Sequence, residues 1–332
     1  TIYLTAMQAI QLTTFGGPEQ LFLGSFPTPK PSEQEVLVRV EATALNRADT
    51  LQRQGKYPPP PGESPILGLE MAGTVAEVGK GVTKWQPGDR VCGLLGGGGY
   101  AEYAVVHEDM ALPIPGGMDA EQAAAIPEVF LTAFQALQWL ARLQAGETVL
   151  IHAGGSGVGT AAIQLARVMG ARSMVTASAS KHAICLELGA EKAIDYREED
   201  FEAAVLAYTQ QQGADVALDF IGAPYFQQNI NVLRTDGRLI LLALMGGVKT
   251  EQLNISSVLR KRLQITGSTL RARTLEYKIA LAQDLFRFAW PLFEEGTLKP
   301  IVDSVFDWKD VAEAHRYMEA NRNVGKIVLR VS

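Results

Sequence analysis

The chain has 332 residues, enough for about two domains, and its 47% hydrophobic and 20% charged residues are typical of a globular protein with a sizeable core. Its 30 basic and 36 acidic residues give a formal net charge of −6, which argues against nucleic acid or an anionic membrane as a partner. Two cysteines, Cys92 and Cys185, exclude a disulfide framework and a four-cysteine zinc lobe. No apolar run reaches the ~18 residues of a membrane span, and the start lacks a basic signal-like segment, so we expect a cytoplasmic protein.

The first third of the chain has the pattern of short β-strands. Val36–Ala44, Gly73–Val78 and Ala101–Val106 are rich in residues that favour strands. Turn signals such as Pro58–Gly62 and Gly96–Gly99 stand between them. This texture predicts a barrel-like or sandwich-like domain.

From about residue 120 the pattern changes to alternating helices and strands. A helical stretch, Ala120–Leu143, leads to the apolar strand Thr148–His152 and the helix Gly159–Met169. Further strands are predicted at Ser173–Thr176, Asp215–Phe220 and Arg238–Ala243. Such alternation predicts a parallel, doubly wound sheet. After Gly267 the pattern predicts a long helix to about Phe293, the strand Ile301–Phe306, the helix Lys309–Ala320 and the strand Lys326–Arg330, a tail that can complete the first domain.

A glycine-rich turn between a predicted strand and a predicted helix is the strongest local signal. Residues 152–160 read His-Ala-Gly-Gly-Ser-Gly-Val-Gly-Thr, close to the G-x-G-x-x-G dinucleotide fingerprint. Serine replaces the second glycine and is small enough to let the backbone approach a pyrophosphate. The residues predicted to bind the cofactor here are Gly154, Gly155, Ser156, Gly157, Val158 and Gly159. The alternative is a glycine-rich turn with no ligand.

The segment about 20 residues after this turn carries hydroxyls and a lysine where NAD enzymes carry an acid. Ser178, Ser180 and Lys181 stand there. A carboxylate would repel the 2′-phosphate of NADPH, whereas Lys181 would attract it. The sequence therefore predicts NADPH as the cofactor. Ser180 can also act as a helix cap with Lys181 in a solvated first turn, and the two interpretations are compatible.

Short segments spread along nearly the whole chain after Met7 form an ordered series. They are Ala44–Asp49, Arg53–Pro60, Leu67–Gly73, Ala125–Glu128, Leu131–Phe134, the glycine turn, Met318–Asn321 and Gly325–Val328. The series resembles the zinc-independent quinone oxidoreductases of the medium-chain dehydrogenase/reductase superfamily, and within them the tumour-suppressor-inducible branch.

The resemblance implies an α/β fold in two domains. A GroES-like, β-rich catalytic domain would comprise residues 1–124 and 268–332, and a Rossmann domain with a doubly wound parallel sheet would comprise 125–267, with the active site in the cleft. It also implies a homodimer or homotetramer formed through Rossmann-domain edges. Zinc enzymes of the superfamily have a histidine where this chain has Leu69 and a metal-ligand cysteine where it has Asn46, so we expect no metal.

The resemblance further implies individual site residues. Asn46 and Tyr57 match positions lining the nicotinamide and substrate pocket, and Asp49 lies in the same segment in a positioning role. Leu51 replaces a tyrosine present in some bacterial members. Beyond the turn, the positions matching cofactor contacts are Thr132, Ser178, Lys181, Tyr196, Met245, Gly246, Gly247, Ser268, Thr269, Leu270, Arg271 and Asn323.

Several of these side chains have a purely structural interpretation as well. Tyr57, beside four prolines, can be a packing aromatic, and Tyr196 can cap a helix. His152 is expected to satisfy a local hydrogen bond at a strand end, and Glu70 to orient its neighbours rather than act as a base.

The expected reaction is hydride transfer from NADPH to a small-molecule quinone, with Asn46 and Tyr57 donating hydrogen bonds to the carbonyl oxygen. One alternative is an NADPH-dependent reductase of α,β-unsaturated carbonyls with the same fold and cofactor. The other is a non-catalytic NADPH- or RNA-binding protein, against which the acidic net charge counts. The sequence does not decide between one- and two-electron reduction.

Overall fold

The computed structural model describes residues 6–251 and 253–331. The chain divides into two compact units, one formed by Thr132–Leu270 and the other by the segments before and after it. The boundaries predicted from the sequence, 124/125 and 267/268, precede those of the compact units by seven and three residues. Among the described residues, no helix is long and apolar enough to cross a membrane.

Strands dominate the described chain up to residue 113, and strands then alternate with helices, as the sequence predicts. In chain order the strands are β1 (Ala6–Leu12), β2 (Leu21–Pro27), β3 (Glu35–Ala44), β4 (Glu70–Val78), β5 (Arg90–Leu94), β6 (Tyr103–His107), β7 (Ala111–Pro113), β8 (Thr148–Ile151), β9 (Arg172–Ala177), β10 (Lys192–Asp195), β11 (Ala214–Asp219), β12 (Leu233–Leu241), β13 (Gln264–Gly267), β14 (Val302–Asp307) and β15 (Lys326–Arg330). The α-helices are α1 (Arg47–Arg53), α2 (Ala120–Ala124), α3 (Pro127–Phe134), α4 (Gly157–Val168), α5 (His182–Leu188), α6 (Phe201–Tyr208), α7 (Phe226–Val232), α8 (Ile255–Arg260), α9 (Leu275–Glu294) and α10 (Val311–Glu319).

The first unit is built on a mostly antiparallel sheet with the order β14-β15-β3-β4-β5-β7, in which β6 also pairs with β3. β1 and β2 form a separate antiparallel pair. The central strand β3 buries Val36, Val38 and Val40 because alternate side chains point to the same face of a strand. β15 pairs with β3, and α10 packs into the same hydrophobic core through residues such as Met318. The C-terminal tail therefore completes this unit, as the sequence predicts.

The second unit is a parallel sheet whose order among the described residues is β10-β9-β8-β11-β12-β13. Counted from β8, this is the order 3-2-1-4-5-6 of two nucleotide-binding halves. All four residues of β8 are buried, because helices cover both faces of such a sheet. The order in which the strands are added to the sheet reverses between β8 and β11. Ligands of these folds bind at the carboxyl ends of the strands at such a point.

The helical stretch predicted over Ala120–Leu143 is broken in the structure. α2 ends before Pro127, which begins α3, because proline disfavours a helical conformation in the residue before it. A π-helical segment, Gln135–Leu140, then follows α3. The long helix expected after Gly267 begins only at Leu275, where the side chain of Thr274 caps it, so residues 268–273 form a loop.

Candidate functional site

In the first unit, Asp49 fixes the start of α1. One of its carboxylate oxygens accepts the backbone N–H of Asn46 at 2.7 Å, and the other accepts the N–H of Gly68 at 3.0 Å. Asp49 is 1% exposed, and burial raises its pKa to about 6. Its contacts tie the helix start to the loop before β4, and its role at the substrate pocket remains a prediction.

The side chain of Asn46 is held by a buried ion pair. Lys326 Nζ lies 2.7 Å from Glu70 Oε1 and donates to Asn46 Oδ1 at 2.6 Å, while Asn46 Nδ2 donates to Glu70 Oε1 at 2.9 Å. Lysine only donates and a carboxylate only accepts, so the two charges fix which way the amide faces. The third Lys326 hydrogen bond goes to the carbonyl of Leu45 at 2.7 Å, and the backbone N–H of Glu128 satisfies the other Glu70 oxygen at 2.8 Å.

A chain of buried side chains connects α10 to Asp49. Arg53 Nη1 lies 3.0 Å from His315 Nδ1, and His315 Nε2 lies 3.2 Å from the Tyr100 hydroxyl, which is 3.4 Å from Asp49 Oδ2. Because arginine can only donate, Nδ1 is an acceptor and the imidazole proton is on Nε2. Tyr100 then accepts from His315 and donates to Asp49. Burial and the neighbouring Arg53 lower the pKa of His315 to about 3, so the ring is neutral. Arg53 also pairs with Glu319.

Tyr57 and Arg271 lie together in the first unit. The guanidinium carbon of Arg271 is 5.3 Å from the centre of the Tyr57 ring. Arg271 is 6% exposed; its Nε donates to the carbonyl of Gly96 and its Nη2 to Gln52 Oε1, each at 2.8 Å. Its remaining nitrogen, Nη1, is buried and has no hydrogen-bond partner.

In the second unit, the glycine turn follows β8 and opens α4. Ser156 is the N-cap of α4, where its hydroxyl accepts the N–H of Gly159 at 3.0 Å. A Cβ on Gly159 would lie 2.4 Å from the carbonyl oxygen of Ala153, and one on Gly154 would lie 2.6 Å from Val175. Only glycine fits these two positions. The first N–H groups of α4 have no partners within the helix, and with the positive end of the helix dipole they suit a pyrophosphate.

The lysine predicted to select the cofactor lies against this turn. A Cβ on Gly155 would meet Lys181 Cδ at 2.6 Å, so the aliphatic stem of Lys181 lies over the turn. Ser178 precedes the 3₁₀ helix Ala179–Lys181, and its hydroxyl is 3.4 Å from that of Ser180. Tyr196 follows β10 and is 44% exposed.

A buried network connects the glycine turn to the loop after β12. His152 Nδ1 lies 2.9 Å from the hydroxyl of Thr176, and its Nε2 lies 2.7 Å from Asn229 Oδ1. Asn229 Nδ2 donates to Asp219 at 3.1 Å, and Asp219 also accepts the N–H of Gly222 at 3.1 Å. His152 is thus hydrogen-bonded, but its partners lie 24 and 77 residues away and not in the local segment that the sequence suggested.

The network reaches the residues predicted to lie beside the nicotinamide through backbone contacts. Gly222 pairs with Gly247 across an isolated bridge, and Gly246 N donates to the carbonyl of Ile221 at 2.8 Å. In the next loop, Ser268 Oγ donates to the buried Gln135 at 3.0 Å, and Gln135 Nε2 lies 3.4 Å from the carbonyl of Thr269.

Most of the predicted cofactor residues lie at one edge of the parallel sheet. Those following the carboxyl ends of its strands are Gly154, Gly155, Ser156, Gly157, Val158, Gly159, Ser178, Lys181, Tyr196, Met245, Gly246, Gly247, Ser268, Thr269 and Leu270. Thr132 lies in α3 instead. Arg271 and Asn323 belong to the first unit, where Asn323 Nδ2 donates to the carbonyl of Gly325 at 2.8 Å. Their contacts with a cofactor remain predictions.

Sequence reasoning did not single out several of the side chains that organise these sites. They are Gln52, Arg53, Tyr100, Asp219, Asn229, His315, Glu319 and Lys326. Arg53, Glu319 and Lys326 stand inside segments that carry the resemblance, which was a usable signal; the others have no local pattern. Within residues 6–251 and 253–331, no group of three or more histidine, cysteine, aspartate or glutamate side chains could hold a metal ion. Cys92 and Cys185 are free thiols.

Comparison with known proteins gives full-length matches. The family described as "Alcohol dehydrogenase GroES-like domain" matches residues 32–116, and the one described as "Zinc-binding dehydrogenase" matches residues 188–329. The quinone oxidoreductase of Lama guanicoe is 33% identical over 97% of both chains. A solved NAD-dependent alcohol dehydrogenase is 34% identical with a TM-score of 0.88, covering 98% of this chain and 100% of its own. The CurK enoyl reductase is 30% identical with a TM-score of 0.88, covering 98% and 99%.

Proposed function

Since the chain belongs to the quinone oxidoreductase family of the medium-chain dehydrogenase/reductase superfamily, we propose that it is a metal-free, NADPH-dependent quinone reductase. Membership makes it an oxidoreductase with a GroES-like domain and a Rossmann-like domain, a nicotinamide cofactor and a small-molecule substrate. NADPH, the quinone and the absence of a metal are the parts proposed. The observation that carries the proposal is the glycine turn at the carboxyl end of β8 with Lys181 lying over it.

The residues of the second unit fit a dinucleotide. The turn uses glycine at Gly154 and Gly159, where a side chain would collide with Val175 or with backbone. Its amides and the start of α4 would hold the pyrophosphate. Lys181 would pair with the 2′-phosphate of NADPH, since no carboxylate occupies the usual NAD ribose position and an ammonium favours a phosphate partner.

The residues of the first unit suit an acceptor that is already electrophilic. When bound, the reduced nicotinamide supplies the hydride. The Tyr57 hydroxyl makes no hydrogen bond to the described residues, so it can donate to a carbonyl oxygen on which negative charge develops. Burial raises the pKa of Tyr57, which keeps the donor protonated at neutral pH.

For Asn46 we propose a role different from the hydrogen-bond donation to the substrate that was expected from the sequence. Its amide hydrogens point to Glu70 at 2.9 Å and to the Ala44 carbonyl at 3.4 Å, so little donor capacity is left for a substrate. We assign Asn46 to shaping the pocket. The ammonium of Lys326 already contacts the Asn46 and Glu70 oxygens, and Leu69 adds no donor, which supports a site without a metal.

Turnover of the reduced cofactor with a panel of ortho-quinones, para-quinones and enones, with NADH in parallel and with and without chelator, tests the proposal. We expect NADPH-dependent turnover of quinones that the chelator leaves unchanged. Loss of activity with chelator would contradict the metal-free site, and equal use of NADH would contradict the cofactor assignment.

Reduction of α,β-unsaturated carbonyls is the second candidate, and the likeness to the CurK enoyl reductase favours it. It needs the same cofactor and the same stabilisation of an oxygen anion. Turnover of enones but not quinones in the panel would select it. Tight NADPH binding without turnover of either class would instead support a non-catalytic role.

We propose a homodimer formed through the β13 edge of the parallel sheet. β13 ends the strand order, and Ile255, Leu259 and Ile265 beside it are 69%, 80% and 38% exposed. An open strand edge flanked by apolar side chains pairs readily with a second copy around a two-fold axis. Sedimentation of Leu259→Lys should give a monomer where the wild type gives a dimer. Leu186→Lys, at an exposed leucine on α5, is the control expected to stay dimeric.

A further inference from the structure

The guanidinium of Arg271 is a buried charge of the first unit with one unpaired nitrogen. It is 6% exposed, yet Nη1 lacks a partner while Nε and Nη2 are each bonded at 2.8 Å. Leaving a buried donor unsatisfied destabilises the folded state, and a charged donor does so more strongly than a neutral one. Folded proteins rarely leave such groups unpaired, and an arginine Nη1 can be satisfied only by an acceptor.

The residues around Arg271 fix the orientation of its guanidinium through hydrogen bonds and a cation–π contact. Gln52 Nε2 donates to the carbonyl of Pro65 at 3.0 Å, so its Oε1 must face Arg271. The Tyr57 ring lies 5.3 Å from the guanidinium carbon and adds a cation–π contact. Burial lowers the pKa of Arg271, while Asp49, Tyr57 and Glu63 raise it, and an arginine in such surroundings stays charged at neutral pH.

We propose that Arg271 Nη1 and the Tyr57 hydroxyl together bind the substrate oxygen that becomes negatively charged during reduction. The inference rests on the proposed reductase activity and adds Arg271 as a catalytic residue. It differs from the role that the family resemblance gives this position, which is contact with the cofactor.

The chemistry balances with the groups already named. The quinone gains a hydride, which brings two electrons and one proton, and the reduced nicotinamide is oxidised by losing it. One quinone oxygen then carries the negative charge of the added electron pair, and a proton from solvent completes the hydroquinone. Arg271 and Tyr57 stabilise that anionic oxygen by hydrogen bonds that strengthen as the charge develops.

An oxygen anion of the cofactor's phosphates would also satisfy Arg271, so the test separates the two sources. Arg271→Met is compared with Arg273→Met, which removes a partly exposed arginine that stacks on Tyr277 at 4.6 Å. For each variant we measure kcat at saturating NADPH and quinone, and the Kd of NADPH from its fluorescence.

We expect Arg271→Met to lower kcat by roughly 10²–10³-fold, the effect of removing one donor to a developing oxyanion, with the NADPH Kd within about threefold of wild type. The loss should be larger for quinones that accept hydride less readily, a trend that a merely structural role would not produce. Arg273→Met should leave both quantities near wild type. A tenfold or greater rise in the NADPH Kd with kcat retained would assign Arg271 to the cofactor and overturn the inference, as would no change in either.

Two further variants keep the test decisive if Arg271→Met does not fold. Arg271→Lys keeps the charge, and Tyr57→Phe keeps the aromatic ring. The kcat of the double variant should fall by less than the product of the two single decreases, because the two donors share one substrate oxygen. Independent losses would contradict a shared acceptor. If the wild type reduces enones but not quinones, quinones are not the substrate class and that part of the proposed function is wrong. The role of Arg271 is then tested in the same way, with kcat measured on the enone.

Discussion

The two units each contain a buried polar network, and the networks differ in charge. The first unit pairs Lys326 with Glu70 and Arg53 with Glu319 around the buried Asp49. The network of the second unit contains no cation; its carboxylate, Asp219, is satisfied by backbone amides and by Asn229 among the described residues. Removing one partner of a buried ion pair leaves an uncompensated buried charge at a high cost in stability, whereas losing a single hydrogen bond between other buried polar groups costs less. The first network orients Asn46 and the start of α1, and the second connects the glycine turn to the loop after β12 that is predicted to bind the cofactor.

The largest effect is expected from breaking the charged network. Lys326→Met should destabilise the protein by about 3–5 kcal/mol, because it leaves Glu70 buried and uncompensated. Urea denaturation measures this. Adding Glu70→Gln should recover part of the loss, and Lys309→Met, at an exposed lysine, should change stability by less than about 1 kcal/mol. A Lys326→Met effect no larger than that of the control would mean that the pair contributes nothing to the difference between the units.

The pH dependence of stability should expose two opposing titrations in the first network. Burial raises the pKa of Asp49 from 3.8 to about 6, so its stabilising contribution is complete at low pH and is lost as the pH rises through 6. The pKa of His315 falls from 6.5 to about 3, so its contribution is complete above 6.5 and is lost as the pH falls toward 3. Between pH 4 and 6 the two slopes cancel, each being about 1.4 kcal/mol per pH unit.

Single variants should therefore separate the two slopes. Relative to wild type, Asp49→Asn should become more stable with rising pH across this window, and His315→Gln should become less stable. Urea midpoints at pH 4, 5 and 6 give the slopes. If the urea midpoints of the three proteins change with pH by the same amount, neither group titrates as its burial predicts.

Breaking the network of the second unit should cost less stability but weaken cofactor binding. Asn229→Leu leaves His152 and Asp219 each short of one hydrogen bond, at about 1–3 kcal/mol. Because Asp219 orders the loop that pairs with Gly247, the Kd for NADPH should also rise. Asn231→Leu, two residues along the same helix, is the matched control and should leave the Kd unchanged. An unchanged Kd in Asn229→Leu would disconnect this network from the loop after β12.

The smallest effect concerns the choice between NADPH and NADH. Lys181→Ala should raise the KM for NADPH about tenfold, the worth of one exposed charge-assisted contact to phosphate, and leave the KM for NADH nearly unchanged. Lys192→Ala, on β10, is the control. Equal rises for both cofactors would show that Lys181 supports the turn and does not read the 2′-phosphate.

The sequence anticipated the elements whose signal is local. The strand Lys326–Arg330 matches β15, and the glycine turn lies between β8 and α4 as predicted. Ser156 was treated as a small replacement for glycine, and the structure adds that it caps α4. The stretch Ala120–Leu143 is helical over most of its length, but it is divided at Pro127 and ends in a π-helical segment, which its composition did not indicate. The partners of His152 could not be read from its neighbours, since Asn229 is 77 residues away.

By itself, the sequence determined the parallel sheet, the β-rich companion unit and the glycine turn. Hydrophobic periodicity and backbone sterics act over a few residues, so a local pattern is enough to specify them. Only the tertiary structure decided which charges meet. Lys326 lies 280 residues from Asn46, and Arg271 lies 219 residues from Gln52. Contacts at that separation follow from how the strands assemble, and so does the unpaired Nη1 of Arg271, because whether a buried donor finds a partner depends on every element packed around it.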